Sequence, residues 1–186
     1  SNSVAGGAAL DQTVFLYGLD VSHNAEYGVH ETSYATGTLT TLPSHLYADL
    51  QVLNSVVDHN GEHTGATGIY MISNSVDSTN QRSHTTISGT DVSYNGYDGF
   101  GSVALSHGYY STNLQYVTLT DSTFDHNAGS GAYFKARDSF GPGPYGFAGH
   151  IVDISGSDFS HNAFDGLTAK ALASGENGRA EQYFTI

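Results

Sequence analysis

Residues 91–100 have the sequence DVSYNGYDGF, and the order of apolar residue, Asn and Gly in this stretch decides the fold. A Val stands three positions before Asn95, a Gly stands four positions after it, and an apolar residue follows that Gly. Similar arrangements recur along the chain at intervals of 32 to 36 residues. The repeated Asn residues are Asn24, Asn60, Asn95, Asn127 and Asn162. Self-similarity at a nearly fixed period indicates a repeat architecture.

Apolar and polar residues alternate on both sides of each repeated Asn, which predicts two short strands per repeat with one face turned inward. The residues eight positions before each Asn are all apolar: Leu16, Val52, Ile87, Leu119 and Ile154. One repeat cannot bury such a face alone, so successive coils stack and share a core. We therefore expect an all-β fold, a parallel β-helix of about five coils whose Asn side chains form an internal ladder.

The composition is acidic and poor in basic residues. The 186 residues include 18 Asp and Glu but only five Lys and Arg, which gives a formal net charge of −13. This charge disfavours nucleic acid and anionic membrane surfaces, because both are bound through Lys and Arg. No apolar run approaches the roughly 20 residues that span a bilayer. The absence of Cys from the sequence excludes a disulfide scaffold. We therefore expect neither a nucleic-acid partner nor a membrane span.

Two stretches of the sequence resemble a known family. Residues 91–100, and residues 56–61 with the sequence VVDHNG, are similar to coils of right-handed parallel β-helices of the pectate-lyase type. Within that superfamily they most resemble the catalytic module of secreted, calcium-dependent mannuronan C5-epimerases. The resemblance implies a right-handed helix, secretion from a bacterium and an acidic polysaccharide as the partner. Because the epimerase module is longer, we expect residues 1–186 to be a single β-helix domain that forms a segment of a longer helix or a self-stacking unit.

Alternation after each repeated Gly predicts which side chains point outward. The outward row two residues after the Gly is His30, Tyr70, Gly101, Tyr133 and Thr168. Four residues after the Gly, Lys135 and Lys170 occupy neighbouring coils, whose strands lie roughly 4.8 Å apart. Arg137 follows two residues later. In so acidic a chain this basic strip suggests an anionic target, and ion pairs with Asp138 and Asp165 are the alternative.

Each coil also contains a segment that a minimal coil does not need. We expect these segments to be long loops on one side of the basic strip: residues 33–48, 73–84, 105–115, 138–150 and 174–181. Long loops on a rigid scaffold commonly carry function. Tyr109, Tyr110 and Tyr145 lie in them, and their rings suit the faces of sugar rings. Packing that anchors the loops is the alternative role.

The resemblance also implies an activity, that of a polyuronate C5-epimerase or a polysaccharide lyase. Such epimerases neutralise the sugar carboxylate, remove the C5 proton and return a proton from the other face. After the equivalent turn they carry Gly-Phe-Asp-Pro-His-Glu, whereas residues 28–31 here are GVHE, without the Asp-Pro. The resemblance implies His30 as the base and Tyr70 or Tyr133 as the acid that returns the proton. Lys135 or Arg137 would bind and neutralise the sugar carboxylate. Lys170 and the loop tyrosines would bind the substrate.

A second regular set precedes the repeated Asn residues: His23, His59, Tyr94, His126 and His161. One such residue per coil forms a line rather than converging on a point. We therefore expect surface stacking, and a zinc site that includes neighbouring Asp residues is the alternative. Asp98 and Asp165 adjoin Gly turns and supply the oxygen ligands that Ca²⁺ takes, so calcium is a candidate cofactor, although no EF-hand loop is present. No motif indicates an organic cofactor.

These observations favour an extracellular, carbohydrate-active protein that binds or modifies an acidic polysaccharide. The alternative is a structural β-helix. The uncapped ends of a solenoid expose unpaired strands. When one end binds the opposite end of another chain, the same contact repeats head to tail and builds a filament. A passive adhesin or stem is the third possibility.

Overall fold

The computed structural model describes residues 2–5, 9–37, 44–139, 146–174 and 177–186, with the side chains of residues 2–5 left aside. Alternating polar and apolar residues form twelve β-strands in these ranges. The strands are β1 (Asn2–Ala5), β2 (Ala9–Tyr17), β3 (Val29–Thr36), β4 (Ser44–Leu53), β5 (Ile69–Val76), β6 (Thr79–Ser88), β7 (Phe100–His107), β8 (Thr112–Thr120), β9 (Ala132–Ser139), β10 (Phe147–Ser155), β11 (Leu167–Ser174) and β12 (Arg179–Thr185).

Consecutive strands alternate between two parallel sheets. Sheet A has the order β1-β3-β5-β7-β9-β11, and sheet B has the order β2-β4-β6-β8-β10-β12. Each coil thus contributes one strand to each sheet, which makes the fold a parallel β-solenoid of about five turns. The pairing aligns Val14, Leu50 and Thr85 across neighbouring coils, as the repeat predicts. The expected all-β parallel fold is confirmed. In the described part of the chain there is no helix of the length and hydrophobicity needed to cross a membrane.

The five repeated Asn residues form the predicted ladder. The side-chain amide of Asn60 donates to Asn95 Oδ1 at 3.2 Å, and that of Asn95 donates to Asn127 Oδ1 at 3.1 Å. Asn24 and Asn162 continue the same bond at the two ends. A Cβ on Gly99 would lie 2.7 Å from Asn127 Nδ2, so the repeated Gly leaves room for the ladder. The ladder therefore holds neighbouring coils in one register.

The interior has an apolar half and a polar half. Beside the ladder, fully buried side chains such as Phe100, Phe124 and Phe134 form the hydrophobic core. Burying one such ring contributes roughly 1.5–3 kcal/mol. Further along the strands the inward positions are polar. The polar half contains a file of hydrogen-bonded side chains: Asn113, Ser73, Gln115, Ser102, His150 and Gln182.

Where the structure describes them, the expected long loops are largely strand, and that part of the prediction is wrong. Within residues 73–84, β5 ends at Val76 and β6 begins at Thr79, so two residues join the sheets. Within residues 105–115, β7 ends at His107 and β8 begins at Thr112. These segments are rich in Ser, Thr, Asn and Gln, which is typical of loops. Here their inward polar side chains bond one another inside the solenoid instead.

Candidate functional site

The predicted outward row lies across sheet A near the start of its strands. Backbone register aligns His30 with Tyr70, Tyr70 with Gly101, and Gly101 with Tyr133. Lys135 is aligned with Lys170 on the next coil. We call the adjoining concave surface the tyrosine groove. It has a volume of about 370 Å³ and is lined by Tyr27, Gly65, Thr67, Tyr70, Tyr97, Asp98, Tyr133 and Lys170.

Aromatic rings form the part of the tyrosine groove that lies toward the first coil. Tyr27 stacks on Tyr70 with ring centroids 5.3 Å apart, and His30 lies 4.6 Å from the Tyr27 ring and 5.5 Å from the Tyr70 ring. Gly101, on the next coil, makes room for the Tyr70 ring. A Cβ at that position would lie 2.8 Å from Tyr70 Cδ2. The ring of Tyr70 therefore covers the coil between its own and that of Tyr133.

Asp98 forms the acidic floor of the tyrosine groove. Its side chain is buried, and its Oδ1 accepts a hydrogen bond from the backbone N–H of Ser130 at 2.7 Å. Burial raises the pKa of Asp98 above its ordinary value, although the Ser130 bond and the charge of Lys170 act against this rise. Burial also raises the pKa of Tyr70 and of Tyr133, and the negative charge of Asp98 adds to both effects. The groove thus combines one carboxyl group of raised pKa with phenols that stay protonated.

Lys170 supplies the positive charge of the tyrosine groove. Its Nζ lies 5.4 Å from the centroid of the Tyr133 ring. Among the described residues, none of the ion pairs within 4 Å involves Lys135, Arg137 or Lys170. The alternative of pairing with Asp138 is not observed, because that side chain points inward and accepts a bond from the backbone of Arg179.

Asp165 does not neutralise the basic strip either. Its Oδ2 accepts a hydrogen bond from the hydroxyl of Thr168 at 3.1 Å. Asp165 borders a second cleft that continues from the tyrosine groove. The two share Tyr97, Asp98, Tyr133 and Lys170. The two proposed calcium ligands, Asp98 and Asp165, therefore face one stretch of surface.

The other residues predicted for the site lie outside the tyrosine groove. Tyr109 and Tyr110 are in the turn after β7, where the backbone N–H of Tyr109 donates to Asp77 Oδ1 at 3.0 Å. At about 3.3 Å per residue this turn is roughly 20 Å from Gly101 along the strand. Arg137 is exposed and aligns with Leu172 on the next coil, beyond the groove. Tyr145 falls outside the described residues.

The sequence did not identify Tyr27, Tyr97 and Asp98 as neighbours in a groove. All three occupy the two positions that precede a repeated Gly, where the chain turns into sheet A. The signal that could have found Tyr27 and Asp98 is the row directly before those Gly residues, which is Tyr27, Thr67, Asp98, Ser130 and Asp165, and Tyr97 precedes this row by one residue. The alternation of inward and outward side chains holds only within strands. It therefore could not predict which way the side chains of this row point, because the row lies in the turns.

The set that precedes the Asn ladder forms a continuous stack on a different edge. Ring centroids of neighbours lie 4.9 to 5.2 Å apart with interplanar angles of 2° to 18° along His23, His59, Tyr94, His126 and His161. We call this set the stacked column. Each member has a positive φ between 51° and 57°, which aims all five side chains the same way. The predicted surface stacking is confirmed.

Two carboxylates accompany the stacked column. Asp58 Oδ2 lies 3.1 Å from His59 Nδ1, and Asp125 Oδ2 lies 3.0 Å from His126 Nδ1. Burial raises the pKa of Asp125, but hydrogen bonds from Ser93 and His126 outweigh it and leave that pKa below its ordinary value. The column therefore carries a fixed negative charge beside its imidazoles.

No protein-family model matches this chain, and neither a curated protein nor a solved structure matches it. The parallel β-solenoid is observed in the structure. The likeness of residues 56–61 and 91–100 to the epimerase coils remains a prediction.

Proposed function

We propose that this protein binds an acidic polysaccharide along the tyrosine groove. The observation that carries the proposal is Lys170, a cation held over the ring of Tyr133 without a carboxylate within 4 Å among the described residues. In a chain of net charge −13, a Lys that makes no ion pair within 4 Å in the described part of the chain, and that is aligned with a second Lys on the neighbouring coil, favours an anionic ligand. The carboxylate of a uronic acid has this charge, and its pyranose ring suits the aromatic surface.

The direction of the tyrosine groove fits a polymer. Tyr27, Tyr70 and Tyr133 belong to different coils, so their rings follow the solenoid axis. Coils repeat roughly every 4.8 Å, which is close to the length of one sugar residue in a chain. Tyr presents a flat apolar ring with a hydroxyl at its edge, and both parts contact sugars favourably. Secretion and an extracellular site of action belong to the same proposal.

Lys170→Gln tests the proposed binding. Charge-assisted hydrogen bonds contribute roughly 1.5–3 kcal/mol, so we expect the dissociation constant for a hexauronate to rise about tenfold or more. The measurement is isothermal titration calorimetry with oligomannuronate and oligogalacturonate. Arg82→Gln is the matched control. It removes the same charge from an exposed residue of sheet B and leaves the tyrosine groove unchanged. Equal weakening in both variants would mean that net charge, not the groove, governs binding.

The acid and base groups of the tyrosine groove suit chemistry at C5 of a bound uronate. In the proposed step, the C5 proton passes to the Asp98 carboxylate while Lys170 stabilises the negative charge that develops on the sugar carboxylate. A phenol, Tyr70 or Tyr133, then returns a proton to C5 from the other face, which is epimerisation. Alternatively the electron pair left at C5 forms a C4=C5 double bond as the C4–O bond breaks, and the phenol protonates the departing oxygen, which is β-elimination. Asp98 takes the base role here, in place of the sequence-based assignment to His30.

Turnover of polymannuronate and polygalacturonate tests this chemistry, with and without added Ca²⁺, for which Asp165 is the candidate ligand once Asp98 acts as the base. We expect Asp98→Asn to lower turnover by at least roughly a hundredfold, since a positioned acid or base contributes 10²–10⁴-fold. The products are followed by NMR, which separates epimerised residues from unsaturated chain ends. His30→Ala and Lys135→Ala test the roles that the family resemblance implies. Unchanged turnover in those two variants would remove His30 and Lys135 from the mechanism.

A further inference from the structure

Two His side chains meet a carboxylate at the last step of the stacked column. The rings of His126 and His161 lie 4.9 Å apart with an interplanar angle of 15°. Asp125 Oδ2 lies 3.0 Å from His126 Nδ1. Each of these three residues offers one ligand atom, and the three atoms lie within 4.8 Å of one another. In the described part of the chain, no other three His, Asp or Glu residues meet that spacing.

We propose that Asp125, His126 and His161 form a zinc-binding site. Imidazole nitrogen and carboxylate oxygen bind Zn²⁺ at 2.0–2.2 Å, so ligand atoms on a tetrahedral ion lie roughly 3.4 Å apart. Ligand atoms that now lie up to 4.8 Å apart must therefore approach by up to about 1.4 Å to reach that spacing. The side chain of His126 is 43% exposed, and His161 is exposed as well, so no core packing opposes this approach. Nitrogen ligands favour zinc over Ca²⁺, which takes oxygen ligands.

The surface beside the two His residues is open. His126 and His161 line a groove of about 420 Å³ in which Ala128 and Ala163 present only methyl groups. Glu62, from the longer turn of the second repeat, lines the same groove. A bound ion would therefore have access to water or to an added carboxylate, as in zinc sites with three protein ligands.

The repeat contains an internal comparison for this site. On the second coil, Asp58 and His59 form the same carboxylate–imidazole pair at 3.1 Å. The neighbour that stacks on His59 from the third coil is Tyr94, whereas His161 holds the equivalent place beside His126. A neutral phenol is a much weaker zinc ligand than imidazole. His23 stacks on His59 from the first coil, but in the described part of the chain only Asp125, His126 and His161 bring their ligand atoms within 4.8 Å of one another. The proposal therefore assigns zinc to the Asp125 pair and none to the Asp58 pair.

The test is a zinc titration of the 186-residue chain after dialysis against a chelator. Competition with a chromophoric chelator gives the affinity and stoichiometry, and NMR of the His rings locates the ion. We expect one Zn²⁺ per chain with shifts at His126 and His161. We expect His161→Tyr and Asp125→Asn each to weaken zinc binding roughly tenfold or more. The loss of a ligand costs at least as much affinity as the loss of a group that hydrogen-bonds to a ligand.

Matched variants decide between this site and general binding by exposed imidazoles. His161→Tyr reproduces the residue that the third coil already carries in the column, so it preserves the stack. His23→Tyr makes the same change at the other end and is expected to leave zinc affinity unchanged. Tyr94→His completes the Asp58 pair and is expected to raise the stoichiometry to two. Equal weakening by His23→Tyr and His161→Tyr, binding spread over many His residues, or no saturable binding would each overturn the proposal. Thermal melts monitored by circular dichroism confirm that each variant is folded.

Discussion

Asn95→Ala is expected to lower the free energy of unfolding by about 4 kcal/mol, because each buried polar group left without a partner costs roughly 1–3 kcal/mol. Asn95 Oδ1 accepts from the backbone N–H of Asn60 at 3.1 Å and from its side-chain amide at 3.2 Å. Its own amide donates to the carbonyl of Val57 at 3.0 Å and to Asn127 Oδ1 at 3.1 Å. All of these bonds join neighbouring coils, and Asn95 is only 1% exposed.

The measurement is denaturant unfolding at neutral pH, followed by circular dichroism. Asn24→Ala is the matched control, because Asn24 occupies the exposed end of the ladder and donates to Asn60 without accepting from a further Asn among the described residues. We expect it to cost about 1 kcal/mol, the net contribution of an ordinary hydrogen bond. Similar small losses in both variants would contradict the ladder as the element that locks the coils together.

Acidification from pH 7.5 to pH 4.5 is expected to remove about 3 kcal/mol of stability through His150 alone, since each pH unit between the two pKa values is worth about 1.4 kcal/mol. His150 is fully buried in the polar half of the interior, and burial lowers its pKa from 6.5 to about 3. Below pH 6.5 the unfolded chain takes up a proton at this residue, whereas the folded chain stays neutral until about pH 3. Protons therefore favour the unfolded state across that window.

His150→Gln isolates this contribution from the other titrating groups. Gln already stands at the aligned positions Gln115 and Gln182 on the two neighbouring coils, so the amide fits the same inward row. Buried carboxyl groups such as Asp138, whose pKa is raised by burial, act in the opposite direction in both proteins. The difference between wild type and variant in chemical denaturation at the two pH values gives the His150 effect. Parallel pH profiles would contradict a neutral, buried His150.

The register of the solenoid could be predicted because it follows from short-range regularities. Each Asn marks a coil, and strand alternation then places Tyr70, Tyr133 and Lys170 on the outward face without knowledge of any contact. The structure aligns Lys135 with Lys170 as the repeat indicates. The ladder makes this possible, because a slip of one residue would remove every Asn from its partner.

The candidate site was only partly predictable, because some of its residues lie in turns and because the strands that support it bury polar side chains. Asp98 lies in the turn before β7, where no period determines which way a side chain points. The approach of Tyr70 to Gly101 is a contact between coils that the sequence does not encode locally. The inward Gln81 and Asn113 resemble loop residues in composition, yet both are fully buried. Their partners, Ser33 and Ser73, are more than thirty residues away along the chain.

The two proposed sites use different edges of one scaffold. The tyrosine groove lies on the outward face of sheet A, and the stacked column lies on the turns that carry the Asn ladder. Tyr97 and Asn95 are two residues apart in the chain, but the first lines the tyrosine groove and the second the groove beside His126. Zinc binding and polysaccharide binding can therefore be measured independently, and the failure of one proposal does not affect the other.

Titration of the ¹³C,¹⁵N-labelled chain with an oligouronate, alongside a neutral oligosaccharide of the same length, tests the proposed function most directly. We expect saturable shifts at the ring of Tyr70, the ring of Tyr133 and the side chain of Lys170 with the oligouronate. The neutral oligosaccharide should give much weaker shifts at the same residues. Equal responses to both ligands, shifts confined to sheet B, or no saturable shifts would contradict binding of an acidic polysaccharide in the tyrosine groove.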